Sequence, residues 1–392
     1  MSTPLTDNKT IIDYYIIYLW TQEGTVMKII CSRNELMKSI NIVNKAVPVR
    51  TTMPVMECIL IDASAEKIRI TANDMDLGIE TTLVGQIVEK GIIAIDARMI
   101  AEITRKLPES DITIESDENF LTTISCGKAV FRITGMDGDD FSRVPMIGRD
   151  ECVEISQFLF REMIRQTIFS ISQNDTNKIM TGELLEIKDD ALRLISLDGH
   201  RISIRRSTLE KESAGRRVIV PGKSLSEISK IFSGNMEDMV QIYFEKNLVM
   251  FAFDETIVVS RLIDGEYFNV DQMISRDYET MVTVNRREMI DCIDRSLLFV
   301  REEDKKPIIL NIGDERMEIS ITSRMGSMNE DIPIEKSGKD IRIAFNPKFM
   351  MDALRAIEDE NVDIYFVNGR TPCVIRDEGM SFVYLILPVN FV

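Results

Sequence analysis

One histidine, His200, stands in the 392 residues, inside the stretch SLDGHRISI from Ser196 to Ile204. Imidazole is the side chain whose charge changes most readily near neutral pH. Acid–base work would require an orienting carboxylate and a nucleophile or a metal within reach. Asp198 is the near carboxylate, and an extended segment is expected to keep it off the ring. No GxSxG stretch and no glycine-rich phosphate loop accompanies it. The acidic run NDMD at 73–76 falls at a turn of the repeat described below, which favours a structural role over metal binding. The cysteines Cys31, Cys58, Cys126, Cys152, Cys292 and Cys373 are scattered, with no CxxC pair and no histidine at ligand spacing. That argues against a zinc site and a disulfide framework, and reads as reduced thiols. The expectation is therefore no catalytic residue, no metal and no cofactor. From the residues alone His200 is a turn histidine in a stretch that needs no proton transfer.

The elements that would position this stretch come from repetition. A chain of this length exceeds one ordinary core, and 44% apolar with 28% charged residues is a globular composition. The apolar run IIDYYIIYLW at 11–20 is interrupted by Asp13 and too short to span a bilayer. Residues 1–26 are set apart as an N-terminal extension or an upstream start, because Met27 opens a natural domain start, MKIICSRNELMKSI. Beyond it, three stretches follow one plan: GIIAIDARMIAEITRKLPESDITI from Gly91, RVIVPGKSLSEISKIFSGNMEDMVQIYF from Arg217, and IRIAFNPKFMMDALRAIEDENVDIYF from Ile341. Each reads as strand, turn, amphipathic helix, turn, strand. Aligning the turns brings Arg98, Lys223 and Lys348 into register, 125 residues apart. A second helix recurs earlier in each unit, over 32–47, 156–172 and 285–300, with Ser32, Ser156 and Asn285 as N-caps. The fold class is α+β: three tandem copies near 27–148, 154–271 and 277–392. Each copy has two helices packed on antiparallel sheets of roughly eight strands.

Charge separates by element. The chain carries −17 with a pI of about 4.8, which alone argues against a nucleic-acid binder. The helical stretches run the other way. They carry +2 on 32–47, +1 on each of 96–107, 156–172, 221–232 and 346–357, and 0 on 285–300, so +6 together. One helix of this kind is a solvated face. Six in repeated positions imply a shared basic surface suited to a phosphate backbone. No base-reading helix, stacking platform or zinc finger is present, so contact would be sequence-independent.

The order of MKIICSRNELMKSI, RTTMPVMECILI, DGHRISI, GDDFSRVP and the terminal YLILPVNFV resembles the bacterial DNA polymerase III β-subunit family, the sliding clamps, over residues 27–392. The resemblance implies a head-to-tail homodimer closing a six-domain ring around double-stranded DNA, helices inside and sheets outside. It implies duplex contacts at Arg50, Arg98 and Lys223, with Asn174 and Lys178 in a further contact loop. Lys348 joins them by repeat register. Gly222 stands where some members have a second basic residue. The resemblance also implies a peptide pocket between the second and third domains. Its wall is Leu197, Gly199, His200, Arg201 and Ile202, with Met180 opposite. Phe268 and Met273 come from the interdomain segment, and Phe349, Pro372, Leu387, Pro388 and Val389 from the third domain. Gln272 and Asn390 take places that are often arginine. The implied partners are the DNA polymerase III catalytic subunit, the clamp-loader complex, and other polymerases and repair proteins carrying clamp-binding peptides. The implied setting is the bacterial cytoplasm and its nucleoid, with no membrane. The rival readings are a hydrolase or transferase with an unrecognised site, and an acidic interaction scaffold that never encircles DNA.

Overall fold

The computed structural model describes residues 25–173, 176–301 and 306–391. Of the 1–26 stretch it describes only the last residues, which begin strand Thr25–Ser32. Asn174 lies outside the described residues. Among the described residues the strands pair antiparallel, as Leu77–Leu83 does with Thr256–Arg261 and Arg201–Thr208 with Phe382–Ile386, and six α-helices come as three pairs. These are α1 (Arg33–Val43) with α2 (Ala97–Lys106), α3 (Gln157–Arg165) with α4 (Gly222–Ser229), and α5 (Arg286–Ser296) with α6 (Pro347–Ala356).

Helix starts follow side-chain capping. Ser32 Oγ accepts from Glu35 N, Asp96 from Met99 N, Asn285 from Arg287 and Glu288 N, and Asn346 from Lys348 N, each relieving an unpaired first-turn amide. Ser156 does not cap α3; among the described residues its buried Oγ has no hydrogen-bond partner. Three helices are shorter than the apolar period suggests. The first ends at Val43 because Pro48 holds Val47 extended, at φ −74 and ψ 127. The third ends at Arg165. There the Thr167 hydroxyl lies 2.8 Å from the Met163 carbonyl, and the chain continues as a 3₁₀ turn at Ile168–Ser170. The fifth passes into a 3₁₀ turn at Leu297–Phe299.

The described chain forms two compact units. The first takes residues up to Asp150 together with Ile242–Ser260. One of its sheets has five strands, in the order 85–89, 25–32, 111–117, 121–126, 129–134. In its other sheet, strand Leu77–Leu83 pairs with Thr256–Arg261 of the second copy, in the register Thr81↔Thr256 to Leu77↔Ser260. A sheet of the first copy is thus continued by the second. Leu36, Ile40 and Val43 of α1 and Ile100 and Ile103 of α2 are buried on their apolar stripes.

The second unit takes Glu151–Gln241 and Arg261–Val392. It holds a twelve-stranded sheet in which Arg201–Thr208 of the second copy pairs with Phe382–Ile386 of the third, Ile202 opposite Leu385. That seam fixes the pocket described next. Under the third copy lies a core that includes Val282, Met289, Ile293, Leu310, Met350 and Leu354. A second cluster, containing Leu184, Leu197, Ile202, Tyr267, Val383 and Leu385, sits at the seam itself.

Candidate nucleic-acid and peptide interfaces

The His200 turn is a tight reversal between strands Ala191–Leu197 and Arg201–Thr208. Gly199 has φ +85, a left-handed conformation open to glycine without steric cost. Asp198 closes the turn. Its Oδ1 accepts from the backbone N–H of His200 at 2.9 Å and of Arg201 at 3.2 Å, and its Oδ2 accepts from Arg201 Nε at 3.0 Å. The expected extended segment is therefore absent. In a strand, residues 198 and 200 would have shared a face. Asp198 stays off the imidazole because the turn amides and the guanidinium hold it. The exposed His200 ring lies beside Phe349, centroids 6.0 Å apart. Among the described residues no three His, Cys, Asp or Glu groups gather as a metal site. The NDMD run is a turn in which Asn73 and Asp74 side chains accept backbone amides of Met75, Asp76 and Leu77. Burial pushes the Cys31 thiol up to about 12 and the Cys58 thiol up to about 11, away from thiolate chemistry.

Beside the turn is a cavity of about 260 Å³. Ten of the thirteen pocket residues expected from the sequence line it: Met180, Leu197, Gly199, His200, Arg201, Ile202, Phe268, Met273, Pro372 and Leu387. Leu385 lines it too. It was missed although it lies two residues from Leu387, and the period-two rule for strands would have included it. Phe349 stands behind the wall, its ring 4.3 Å from the Arg201 guanidinium carbon. Pro388 and Val389 leave the lining as the tail turns away, and Val389 N–H donates to the Ala344 carbonyl at 2.8 Å. The tail is tied to the turn one step earlier, where Leu387 N–H donates to the His200 carbonyl at 2.9 Å. The cavity is smaller than the roughly 300–1,000 Å³ of drug-sized ligand sites. Its apolar, methionine-bearing wall suits the side chains of a short peptide.

The basic residues fall into two groups. Arg98, Lys223 and Lys348 are each the second residue of their helix, α2, α4 and α6, and each is exposed. Arg50 is exposed in the loop after Val47, and Lys178 is exposed at the start of the 3₁₀ turn Lys178–Thr181 that carries Met180. Other helical cations have structural work. Arg33 donates to the Thr104 and Arg105 carbonyls at the end of α2, and Arg286 donates to the Asp359 carbonyl. Arg105, Arg165, Lys230 and Arg355 pair with Glu102, Glu162, Glu227 and Asp294. Several of the cations counted in the helical excess of +6 are thus engaged by carbonyls and carboxylates of the protein. Gly222 is buried, and a Cβ there would meet Ile171 Cδ1 at 2.3 Å and the Thr181 carbonyl at 3.0 Å. This backbone leaves no room for a basic side chain at that position.

Comparison with known proteins agrees with this architecture along the chain. Three family models match in series: DNA polymerase III beta subunit, N-terminal domain, over residues 27–145; central domain over 154–269; and C-terminal domain over 271–390. A curated beta sliding clamp of Staphylococcus aureus is 32% identical over 376 residues, covering 93% of this chain and 100% of the relative. Among solved structures, a DNA polymerase III beta subunit from Eubacterium rectale is 58% identical with a TM-score of 0.91. The sliding clamp of Bacillus subtilis is 34% identical with a TM-score of 0.90. Both cover 93% of this chain and 100% of their own. Three tandem domains in one order, matched end to end, make the chain a member of the DNA polymerase III beta-subunit family, the bacterial sliding clamps.

Proposed function

We propose that this chain is the processivity clamp of a DNA polymerase III holoenzyme, without catalytic activity of its own. Two copies close head to tail around duplex DNA, and each carries a partner-peptide pocket at the seam of its second and third domains. We take the domains as 27–148, 154–271 and 277–392. The observation that carries the DNA reading is the recurrence of Arg98, Lys223 and Lys348 at the second position of three equivalent helices. A cation there opposes the helix macrodipole, at a cost of roughly 0.3–1 kcal/mol. Helix stability therefore does not explain it. A phosphate does, because the same helix ends favour an anion. Arg50, Lys178 and Asn174 extend the same contact. The pocket residues bind short apolar peptides of the polymerase catalytic subunit, the clamp loader, and other polymerases and repair proteins. Among the described residues no helix is long and apolar enough to cross a membrane. The place of action is the cytoplasm, at the nucleoid.

The test is topological. The protein is loaded onto nicked circular DNA by its ATP-driven loader, and retention is measured before and after the circle is cut. Retention on the circle and release on linearisation are expected; equal retention on both forms leaves only the scaffold reading. Charge reversal of Arg98 and Lys223 together, in both copies of the ring, should lower the salt slope of DNA binding by about 4 and leave peptide binding unchanged. Deleting residues 387–392 should abolish peptide binding and leave retention unchanged. If both variants lose the same activity, separate DNA and peptide surfaces are ruled out.

A further inference from the structure

Arg201 lines an apolar pocket, yet it is only 8% exposed and its charge is enclosed on several sides. Its Nε donates to Asp198 Oδ2 at 3.0 Å, its Nη1 donates to Asp352 Oδ2 at 2.6 Å, and its Nη2 donates to the Phe169 carbonyl. The guanidinium also lies over the rings of Phe349, at 4.3 Å, and Phe169, at 5.4 Å. Two carboxylates thus meet one guanidinium. Asp198 belongs to the turn itself. Asp352 comes from α6 of the third copy, one turn after Phe349. Two carboxylates, both half-buried, thus enclose the one buried guanidinium from the turn and from α6.

We propose that Asp352 determines the specificity of this pocket: by holding Arg201 against α6 it denies the guanidinium to ligands, so the pocket takes neutral apolar side chains and rejects acidic ones. The inference rests on the reading of the cavity as a peptide site. The geometry opposes the alternative that Arg201 is a carboxylate anchor for the peptide. Three of its nitrogens have protein partners, and a ligand carboxylate would arrive beside Asp198 and Asp352. Arg201 is then a positioning residue for the wall, and Asp352 keeps it there.

The experiment uses the full-length dimer and the fluorescein-labelled clamp-binding peptide of the organism's own polymerase III catalytic subunit. Two versions are compared, with glutamine or glutamate in place of one pocket-facing apolar residue. The wild type should bind the glutamate version at least ten-fold more weakly than the glutamine version. Asp352→Asn keeps the side chain's shape, removes one negative charge and frees part of the guanidinium. The ratio should fall to about three-fold or less, through tighter binding of the glutamate version. Asp352→Glu restores the carboxylate and should return the ratio toward ten. Asp198→Asn, which keeps an acceptor for the turn amides, should lower the ratio as Asp352→Asn does, and it decides the question if Asp352→Asn melts early. An unchanged ratio in a folded Asn variant, or equal weakening of both peptides, overturns the proposal. Failure of the wild type to bind the parent peptide at all overturns the pocket reading instead.

Discussion

Glu183→Gln should stabilise the protein by about 3 kcal/mol at pH 7, and by more at higher pH. Glu183 lies in strand Gly182–Lys188 with no exposed surface, and its Oε1 has no hydrogen-bond partner. Burial pushes its carboxyl up to about 8; the Thr167 hydroxyl, 3.0 Å from Oε2, only partly offsets this. The geometry agrees with a neutral acid. The one Thr167 hydroxyl hydrogen is shared among Glu183 Oε2 at 3.0 Å, the Met163 carbonyl at 2.8 Å and the Ile164 carbonyl at 3.3 Å, so a carboxylate gains little support from it. The sign follows from linkage. Between the unfolded value of 4.5 and about 8 the folded chain holds a proton that the unfolded chain has lost. Stability is therefore full below 4.5 and falls with rising pH by about 1.4 kcal/mol per unit, levelling off above 8. Glutamine fits the same space, donates to Thr167 and carries no such penalty. Chemical denaturation at pH 5, 7 and 9 checks this: the wild-type midpoint should drop across the series and the variant's should stay level. Parallel curves would mean that Glu183 has found a charged partner or water. Tyr267, buried at the same seam and donating to the Ile195 carbonyl at 3.1 Å, has its hydroxyl pKa raised by burial and then by Glu183.

The repeat, the helix faces and most caps were legible because they are local. A hydroxyl or amide side chain before a three- and four-residue apolar period is a signal within one turn of chain, and Ser32 and Asn285 cap as that signal implies; Asp96 and Asn346, read only as turn residues, cap as well. Ser156 carries the same signal and fails. What could not be read is long-range pairing. Nothing in ALRLISL or RISIRRST says that the second of these strands will pair with Phe382–Ile386, yet that register builds the pocket. The pocket residues, spread from Met180 to Leu387, were named through family resemblance and not through any local pattern. Glu183 was overlooked for a related reason. It alternates with Leu185 and Ile187, so a strict reading of period two puts it inward, but a glutamate at a strand start is usually solvated. The clasp of Arg201 by Asp352 spans 151 positions and has no sequence signature.

Single aspartates on the first and third copies should split the dimer, and mixing the two variants should show how the copies meet. Strand Ala129–Thr134 closes the five-stranded sheet of the first copy, and among the described residues its outer edge has no strand partner. Such an edge recruits another chain unless it is covered. Val130 on it is 57% exposed. In the third copy Leu298, on the 3₁₀ turn after α5, is 72% exposed. Neither residue belongs to a buried cluster, so Val130→Asp and Leu298→Asp should each fold. If the first copy of one chain meets the third copy of the next, each variant spoils both interfaces of its own ring. Burying an uncompensated carboxylate should then raise the dimer Kd at least 100-fold, about 3 kcal/mol. Solution mass should fall from twice to once the 44.8 kDa chain. The mixture is the sharper measurement. A Leu298→Asp chain keeps an intact first copy, and a Val130→Asp chain keeps an intact third copy. One interface can therefore form between them while the other cannot. The expected product is a dimer by mass that does not stay on circular DNA, an open arc. A like-with-like interface predicts otherwise: a surface centred on Val130 would leave the Leu298→Asp chain a dimer on its own. Mass recovered without retention is the outcome that head-to-tail closure requires, because retention depends on the second interface, and only the second interface makes the arc a ring.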